Sequence, residues 1–166
     1  PVIDVIIPAY RPDDSFHKLI RLLLEQSVKP HHIYVLQTIE DGEQVLQPLD
    51  QRMSVHPVPK KEFDHGATRD YGAGLAVKDI GDNISQHYIL FMTQDAVPAG
   101  TELLERLVKP FGDDRTAITY ARQLAREEAD LLERLTRVHN YPPEDQVKSK
   151  EDLERLGIKT YFCSDV

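Results

Sequence analysis

The chain has 166 residues, of which 40% are apolar and 29% are charged, as in folded globular proteins and unlike disordered ones. Its net charge of −8 argues against nucleic-acid binding, which needs a basic face. A single cysteine excludes an internal disulfide and a CxxC zinc site and favours a reducing compartment. No apolar run approaches the roughly 20 residues that span a bilayer, and the first residues lack a basic leader. We therefore expect a cytoplasmic protein without a signal peptide.

The first third of the chain predicts two strands around one helix. Residues 2–7 form a nearly continuous β-branched run that ends at Pro8, a pattern typical of a strand buried on both faces of a parallel sheet. Residues 11–14 supply turn and capping side chains, and apolar residues then recur at helical spacing over 16–24. Pro30 ends this helix, and residues 33–36 form the second predicted strand.

The middle of the chain predicts a loop, a strand, a helix and another strand. Residues 39–52 are polar and indicate a loop, with a short helix at 45–49 as an option. A third strand is expected at 53–58 and a fourth at 87–92. Between them lies a helix at 66–78 whose Ala and Gly residues would let its backbone approach the sheet or a ligand closely.

The last third is more polar. Thr101 is the expected cap of a helix with an apolar face at 103–108, and residues 116–121 are a candidate fifth strand. A charged amphipathic helix at 127–138 and a linker at 142–150 follow. A capping box at 149–152 predicts a short helix that ends at Gly157, before a last strand or extended segment at 158–162.

The alternation of strands and helices predicts an α/β fold, with a mostly parallel sheet and helices on both faces. In such sheets, ligands bind beyond the carboxyl ends of the strands. The candidate functional segments are therefore residues 8–11, 37–41, 63–70 and 93–96.

Asp95 carries the sharpest local signal, because an apolar strand runs directly into this carboxylate. An acid at the carboxyl end of a strand can hold a hard divalent cation, which would bridge to a substrate diphosphate. Alternatively, Asp95 only caps the turn before Pro98, a common use of aspartate. Both interpretations remain open from chemistry alone.

Residues 63–70, with the sequence FDHGATRD, carry a second signal. Gly66 at the helix start would leave backbone N–H groups free to face an anion, and Arg69 one turn later could contact a phosphate. The alternative is a solvated Arg69 paired with Asp70 or Glu62. His65 is more often a structural residue than a ligand.

Several well-known motifs are missing from the sequence. No GxGxxG follows the first strand, and neither a P-loop nor a GxSxG elbow occurs. Dinucleotide-binding, P-loop and α/β-hydrolase interpretations are therefore weak. Cys163 has no activating signal, and we expect a buried thiol.

Five segments together resemble the inverting family 2 glycosyltransferases of the GT-A fold, and among them the bacterial rhamnosyltransferases. The segments occur in the expected order and span nearly the whole chain: residues 5–10, 63–70, 88–96, 120–124 and 161–165. Each is short, and the ordered set is what makes the resemblance specific.

The resemblance implies a role for each matching residue. Pro8, Ala9 and Tyr10 would line the pocket of the nucleotide base, and Arg69 would lie near the donor diphosphate. Asp95 would hold Mg²⁺ or Mn²⁺, with Thr93 and Gln94 in the same donor-binding turn. The implied donor is a nucleotide-diphosphate sugar, here dTDP-rhamnose. Its sugar would pass with inversion to a glycan or lipid-linked acceptor, which would place the parent enzyme at the inner face of the membrane.

Three departures from the family pattern qualify these expectations. Thr93 stands where the metal-binding motif usually begins with an acid. The family usually has an acid at the end of the second strand, but this chain has Gln37 and Thr38 there, and Glu40 or Asp41 in the following loop would take its role. The family's general base has no match, so we expect it beyond Val166. The chain would then be one truncated GT-A domain, with a nucleotide-sugar half at 1–100 and the start of an acceptor half at 101–166.

Two alternatives stand beside this hypothesis. One is a non-catalytic nucleotide-sugar-binding module that lacks the base. The other, a nucleotidyltransferase, is disfavoured because residues 9–12 are not a Gly-rich loop.

Overall fold

Four parallel strands form the sheet of this protein: β1 (Val2–Tyr10), β2 (His32–Ile39), β3 (Met53–Pro59) and β4 (His87–Phe91), in the order β3-β2-β1-β4. The computed structural model describes residues 1–81, 86–125 and 129–162. The chain divides into two units, Pro1–Thr119 and Tyr120–Val166. The sheet lies in the first unit, and the predicted parallel α/β architecture is confirmed.

The central strand β1 is buried on both faces, as its apolar run predicted, and Val5, Ile6 and Ile7 are 0% exposed. The strand was expected to end at Pro8 but continues to Tyr10. Beyond Ile6, β4 no longer pairs with β1. The strand is therefore an edge on that side and tolerates a residue without an N–H.

Two helices cover the two faces of the sheet. Helix α1 (Asp14–Leu24) is capped by Asp13, whose side chain accepts a 3.1 Å bond from the backbone N–H of Phe16. Its apolar stripe packs with residues on one face of β1 and β2. Helix α2 (His65–Ile80) packs on the other face, where Ala76 joins the cluster that contains Ile6 and Tyr34.

A glycine allows α2 to lie very close to the sheet. A Cβ atom on Gly72 would lie 2.5 Å from Ile6 Cγ2 and 2.9 Å from Leu36 Cδ2, both far inside van der Waals contact. The small residues of this helix therefore serve its approach to the sheet, one of the two uses that the sequence predicted.

The remaining helices are shorter or interrupted. Helix α3 (Leu103–Val108) leads into a short 3-10 turn at Lys109–Gly112 in the first unit. In the second unit, α4 (Leu131–Asn140) is capped by Asp130, and α5 (Lys150–Phe162) is broken at Gly157, where φ is 76° and ψ is 160°. In the described part of the chain, every helix is too short or too polar to cross a bilayer.

Two of the predicted strands are wrong. Residues 116–121 contain no strand, because Thr116 Oγ1 bonds to Pro110 O at 2.8 Å and Thr119 Oγ1 bonds to Leu107 O at 2.8 Å. These contacts tie the segment to the end of α3. Residues 158–162 are helical and belong to α5. A short apolar run is compatible with either a strand or a helix, and its tertiary contacts decide which of the two forms.

Two smaller predictions are also corrected. The optional helix at 45–49 does not form, because Gln37 on β2 binds the loop backbone, accepting from Leu46 N at 2.7 Å and donating to Gln44 O at 3.2 Å. The cap of α3 is Glu102, not Thr101, whose carbonyl instead accepts a 2.7 Å bond from Ser27 N. Cys163, predicted to be a buried thiol, lies outside the described residues.

Candidate functional site

A cavity of about 330 Å³ opens at the edge of the sheet formed by the carboxyl ends of the strands. Such an edge is where parallel α/β folds bind ligands, and the volume suits a small molecule. Of the residues predicted for the site, all but Glu40 and Asp95 line it. The complete lining is Pro8, Ala9, Tyr10, Thr38, Lys60, Phe63, His65, Arg69, Thr93 and Gln94.

The end of β1 is fastened to the turn after β4 by one side chain. Gln94 Oε1 accepts a 2.7 Å bond from Tyr10 N, and Gln94 Nε2 donates a 3.1 Å bond to Tyr10 O. Both bonds replace the strand pairing that β4 no longer provides there. Gln94 therefore holds the backbone of Tyr10 in place at the cavity.

Glu40, just after β2, gathers three side chains around one carboxylate oxygen. Its Oε1 accepts from Tyr10 OH at 2.6 Å, from Lys60 Nζ at 2.7 Å and from Arg11 Nη2 at 3.3 Å. The hydrogen bond from Lys60, followed by that from Tyr10, lowers the pKa of Glu40 to about 2. The bond to Glu40 in turn raises the pKa of Lys60, so both groups are charged at neutral pH.

Lys60 is a site residue that the sequence reasoning missed. It directly follows β3 and begins a short 3-10 turn, Lys60–Glu62. The sequence did contain a signal for Lys60. The third strand was predicted to end at residue 58, which places the lysines that follow it at the sheet edge formed by the carboxyl ends of the strands. The candidate segments were drawn from the ends of the other strands and omitted this one.

The start of α2 corrects one expectation. The N–H groups expected to be free for an anion are capped by Asp64, whose Oδ1 accepts from Gly66 N at 2.9 Å and Ala67 N at 2.8 Å. These backbone bonds, with that of Ala67 first, lower the pKa of Asp64. The helix start therefore offers the cavity fewer free N–H groups than the glycine indicated.

Arg69 lines the cavity without an ion pair among the described residues, so the alternative pairing with Glu62 or Asp70 does not form. Its Nη1 donates a 2.9 Å bond to the carbonyl of His65, which orients the guanidinium. The ring of His65 also lies on the cavity and packs edge-on against Phe63, with centroids 4.9 Å apart.

Asp95 is exposed in the turn after β4 and is not part of the cavity lining. The turn is closed by a 3.1 Å bond from Ala96 N to Thr93 O. No three His, Cys, Asp or Glu side chains gather as a metal site in the described ranges. One carboxylate nevertheless fits a magnesium-type ion whose other ligands are substrate phosphate oxygens and water.

The cavity combines positive charge with apolar and aromatic walls. Its lining contains the cations Lys60 and Arg69 and no carboxylate, although the whole chain carries −8. The Tyr10 and Phe63 rings supply flat apolar surface. Such a lining suits an anionic ligand with a planar part.

Two curated proteins are similar in sequence to this chain. The chain is 33% identical to the O-antigen chain rhamnosyltransferase RfbN of Salmonella typhimurium over 98% of its length, and 28% identical to the O-antigen chain rhamnosyltransferase WbaN of Salmonella anatum over 99%. It spans about half the length of these curated relatives, 50% in both cases. No solved structure matches it at a significant level.

Residues 4–165 match the family described as glycosyl transferase family 2. The parallel four-stranded sheet with helices on both faces is consistent with the GT-A fold of that family. Because the match covers nearly all of the sequence, this chain belongs to glycosyl transferase family 2.

Proposed function

We propose that this chain is the donor-binding part of a glycosyltransferase that acts in the synthesis of a cell-surface polysaccharide. It would transfer a sugar, with inversion, from a nucleotide diphosphate to a saccharide or lipid-linked acceptor. The observation that carries the proposal is the cation-lined cavity at the carboxyl edge of a family 2 sheet. The names of the relatives, both O-antigen chain rhamnosyltransferases, support a rhamnose donor, for which we propose dTDP-rhamnose.

The lining residues, together with Glu40 next to the cavity, divide between the two parts of such a donor. Pro8, Ala9 and Tyr10 would form the wall against the base, and Glu40 beside Tyr10 would accept a hydrogen bond from the nucleoside. Thr93 and Gln94 would close the donor pocket from the turn after β4. Arg69, whose guanidinium has only the bond to the His65 carbonyl in the described part of the chain, would bind the diphosphate as a charged fork.

Asp95 would hold the divalent ion together with oxygens of the donor. Enzymes of this family generally use such an ion, and we propose Mg²⁺ or Mn²⁺. When bound, the ion offsets the negative charge that develops on the departing diphosphate. The position of Asp95 in the turn after β4, directly after the lining residue Gln94, supports this assignment.

The rest of the transfer machinery is also a proposal. We assign residues 1–100 to the donor half and 101–166 to the start of the acceptor half, and we place the general base outside the 166 residues. The parent enzyme would work in the cytoplasm, at the inner face of the membrane. The non-catalytic alternative has less support, because both matched relatives are named as transferases.

The test is calorimetry of the chain with dTDP and UDP, with and without Mn²⁺. We expect dTDP to bind, and Mn²⁺ to tighten the binding. The Asp95→Asn variant should lose about tenfold or more in Mn²⁺-dependent affinity, because one charged ligand contact is worth roughly 1.5–3 kcal/mol.

Asp114→Asn is the matched control, since Asp114 is also exposed and lies outside the cavity lining. It should bind like the parent. Equal Mn²⁺-dependent affinity in the Asp95 variant would contradict the metal assignment, and a parent that binds no nucleotide would contradict the proposed function.

A further inference from the structure

Only one of the two carboxylate oxygens of Glu40, Oε1, accepts hydrogen bonds from the described residues. All three of its side-chain partners bond to Oε1, at 2.6, 2.7 and 3.3 Å. Among the described residues, Oε2 has no hydrogen-bond partner, and the side chain is 38% exposed. One oxygen is therefore held by the protein while the other stays available.

Lys60 connects three strand ends at this point. It follows β3, and its Nζ donates 2.7 Å to Glu40 after β2 and 3.3 Å to the hydroxyl of Tyr10 at the end of β1. The ammonium also lies 5.3 Å from the centroid of the Tyr10 ring. Strand register sets the backbones of these residues, and such contacts select among the side-chain rotamers that each backbone allows.

We propose that Lys60 is a positioning residue of the donor pocket: it holds Glu40 and Tyr10 in one arrangement, so that Glu40 Oε2 remains open to a hydrogen-bond donor of the nucleoside. This inference rests on the proposed function. Its physical basis is preorganisation, because side chains that are ordered before binding do not lose that freedom when the ligand arrives.

A different role for Lys60 would be direct contact with the diphosphate, since it lines the same cavity as Arg69. The two roles differ in the part of the ligand that they serve. A positioning residue for Glu40 and Tyr10 affects recognition of the nucleoside, whereas a phosphate contact affects every diphosphate, including inorganic pyrophosphate.

The first experiment compares Lys60→Met with Lys61→Met, an exposed neighbour outside the cavity lining. We expect Lys60→Met to bind dTDP and thymidine about threefold to tenfold more weakly, the range for one hydrogen-bonded contact. Pyrophosphate affinity and melting temperature should stay at parent values. Lys61→Met should match the parent throughout. Loss of pyrophosphate affinity with unchanged thymidine affinity would overturn the proposal in favour of direct phosphate contact.

The second experiment asks whether Lys60 acts through Glu40. In a Glu40→Gln background, Lys60→Met should weaken dTDP binding much less than in the parent, since coupled residues have non-additive effects. Lys60→Arg should restore most of the affinity, because a guanidinium also pairs with the carboxylate. Additive losses, or no rescue by arginine, would refute the positioning role.

The failures of the two proposals are distinguishable. If the parent chain binds neither dTDP nor UDP, the proposed function is wrong and this inference falls with it. If the parent binds dTDP and Lys60→Met binds it equally well, only the role of Lys60 is wrong.

Discussion

Arg69 shows how one side chain can become available to a ligand. Its helix-start neighbours Gly66 and Ala67 have their N–H groups capped by Asp64, so the helix start contributes little free donor capacity there. The guanidinium keeps one bond to the His65 carbonyl and has no acidic partner in the described part of the chain. Most of the attraction that the α2 start offers an anion should therefore come from this side chain.

Arg69→Ala should weaken dTDP binding about tenfold or more, because a hydrogen bond to a charged group contributes roughly 1.5–3 kcal/mol. The melting temperature of this variant should change little, since the bond to the His65 carbonyl is the only hydrogen bond of the Arg69 side chain among the described residues. Titration calorimetry and thermal denaturation check both expectations.

Lys78→Ala is the control on the same helix, because Lys78 is exposed in the last turn of α2. It removes the same unit of charge away from the cavity and should bind dTDP like the parent. A tenfold loss in both variants would point to net charge, and an Arg69 variant that binds normally would remove Arg69 from the site.

The residues of the site were predictable to different degrees. Those adjoining strands with strong apolar signals, such as Tyr10 and Gln94, were predicted and do line the cavity. Glu40 was one of two candidates in a polar loop, and the structure shows it in contact with Tyr10. Lys60 was missed, because its partners lie 20 and 50 residues away in sequence and are brought together only by strand order.

At the scale of elements, Gly72 allows α2 to pack closely against the sheet, because a side chain at this position would overlap Ile6 and Leu36. A Cβ atom on Gly74, two residues on, would have nothing within 4 Å. The two glycines lie in the same helix, so they experience the same intrinsic helix preference and differ only in packing.

Gly72→Ala should destabilise the protein by about 1–3 kcal/mol, the usual cost of overpacking. Gly74→Ala should stabilise it by about 0.4–1 kcal/mol, because alanine restricts the unfolded chain and favours the helix. Urea unfolding of the two variants measures both values. If Gly72→Ala were as stable as Gly74→Ala, the close approach of α2 to the sheet would be wrong.

At the scale of the whole sheet, a polar row crosses the amino-terminal part of all four strands. Asp4 is fully buried and pairs with His31 Nδ1 at 2.9 Å and His87 Nε2 at 2.8 Å. On the next strands, Ser54 Oγ lies 3.0 Å from His32 Nε2 and 2.9 Å from His56 Nε2. Asp4 lies near the start of β1, whereas the residues of that strand that line the cavity, Pro8, Ala9 and Tyr10, are at its end.

Burial lowers the pKa of His32 and of His56 below the ordinary value of 6.5. Nearby acids, Asp4 and Asp79, oppose the effect on His32 but do not cancel it. Below about pH 6.5 the unfolded chain therefore takes up protons that the folded chain does not bind. This contribution to stability is complete above pH 6.5 and is lost as the pH falls toward the lower, folded values.

We expect the free energy of unfolding to fall between pH 7.5 and pH 5.5, and to fall less in a His56→Gln variant, which has one fewer such group. Urea unfolding at the two pH values gives this difference. Gly74→Ala, which changes no titratable group, should keep the slope of the parent. A His56→Gln slope equal to that of the parent would show that His56 does not contribute.

The sequence by itself determined the class of this fold and the edge at which its site lies. Three local patterns predict a parallel sheet: the apolar run of β1, the amphipathic stripe of α1 and the alternation of strands with helices. Each of these patterns depends only on residues that are close in sequence. Tertiary structure alone decided the strand order and the contact of Lys60 with Glu40 and Tyr10. The physical reason is that a side chain's partners across a sheet depend on register and strand order, which residues distant in sequence settle together.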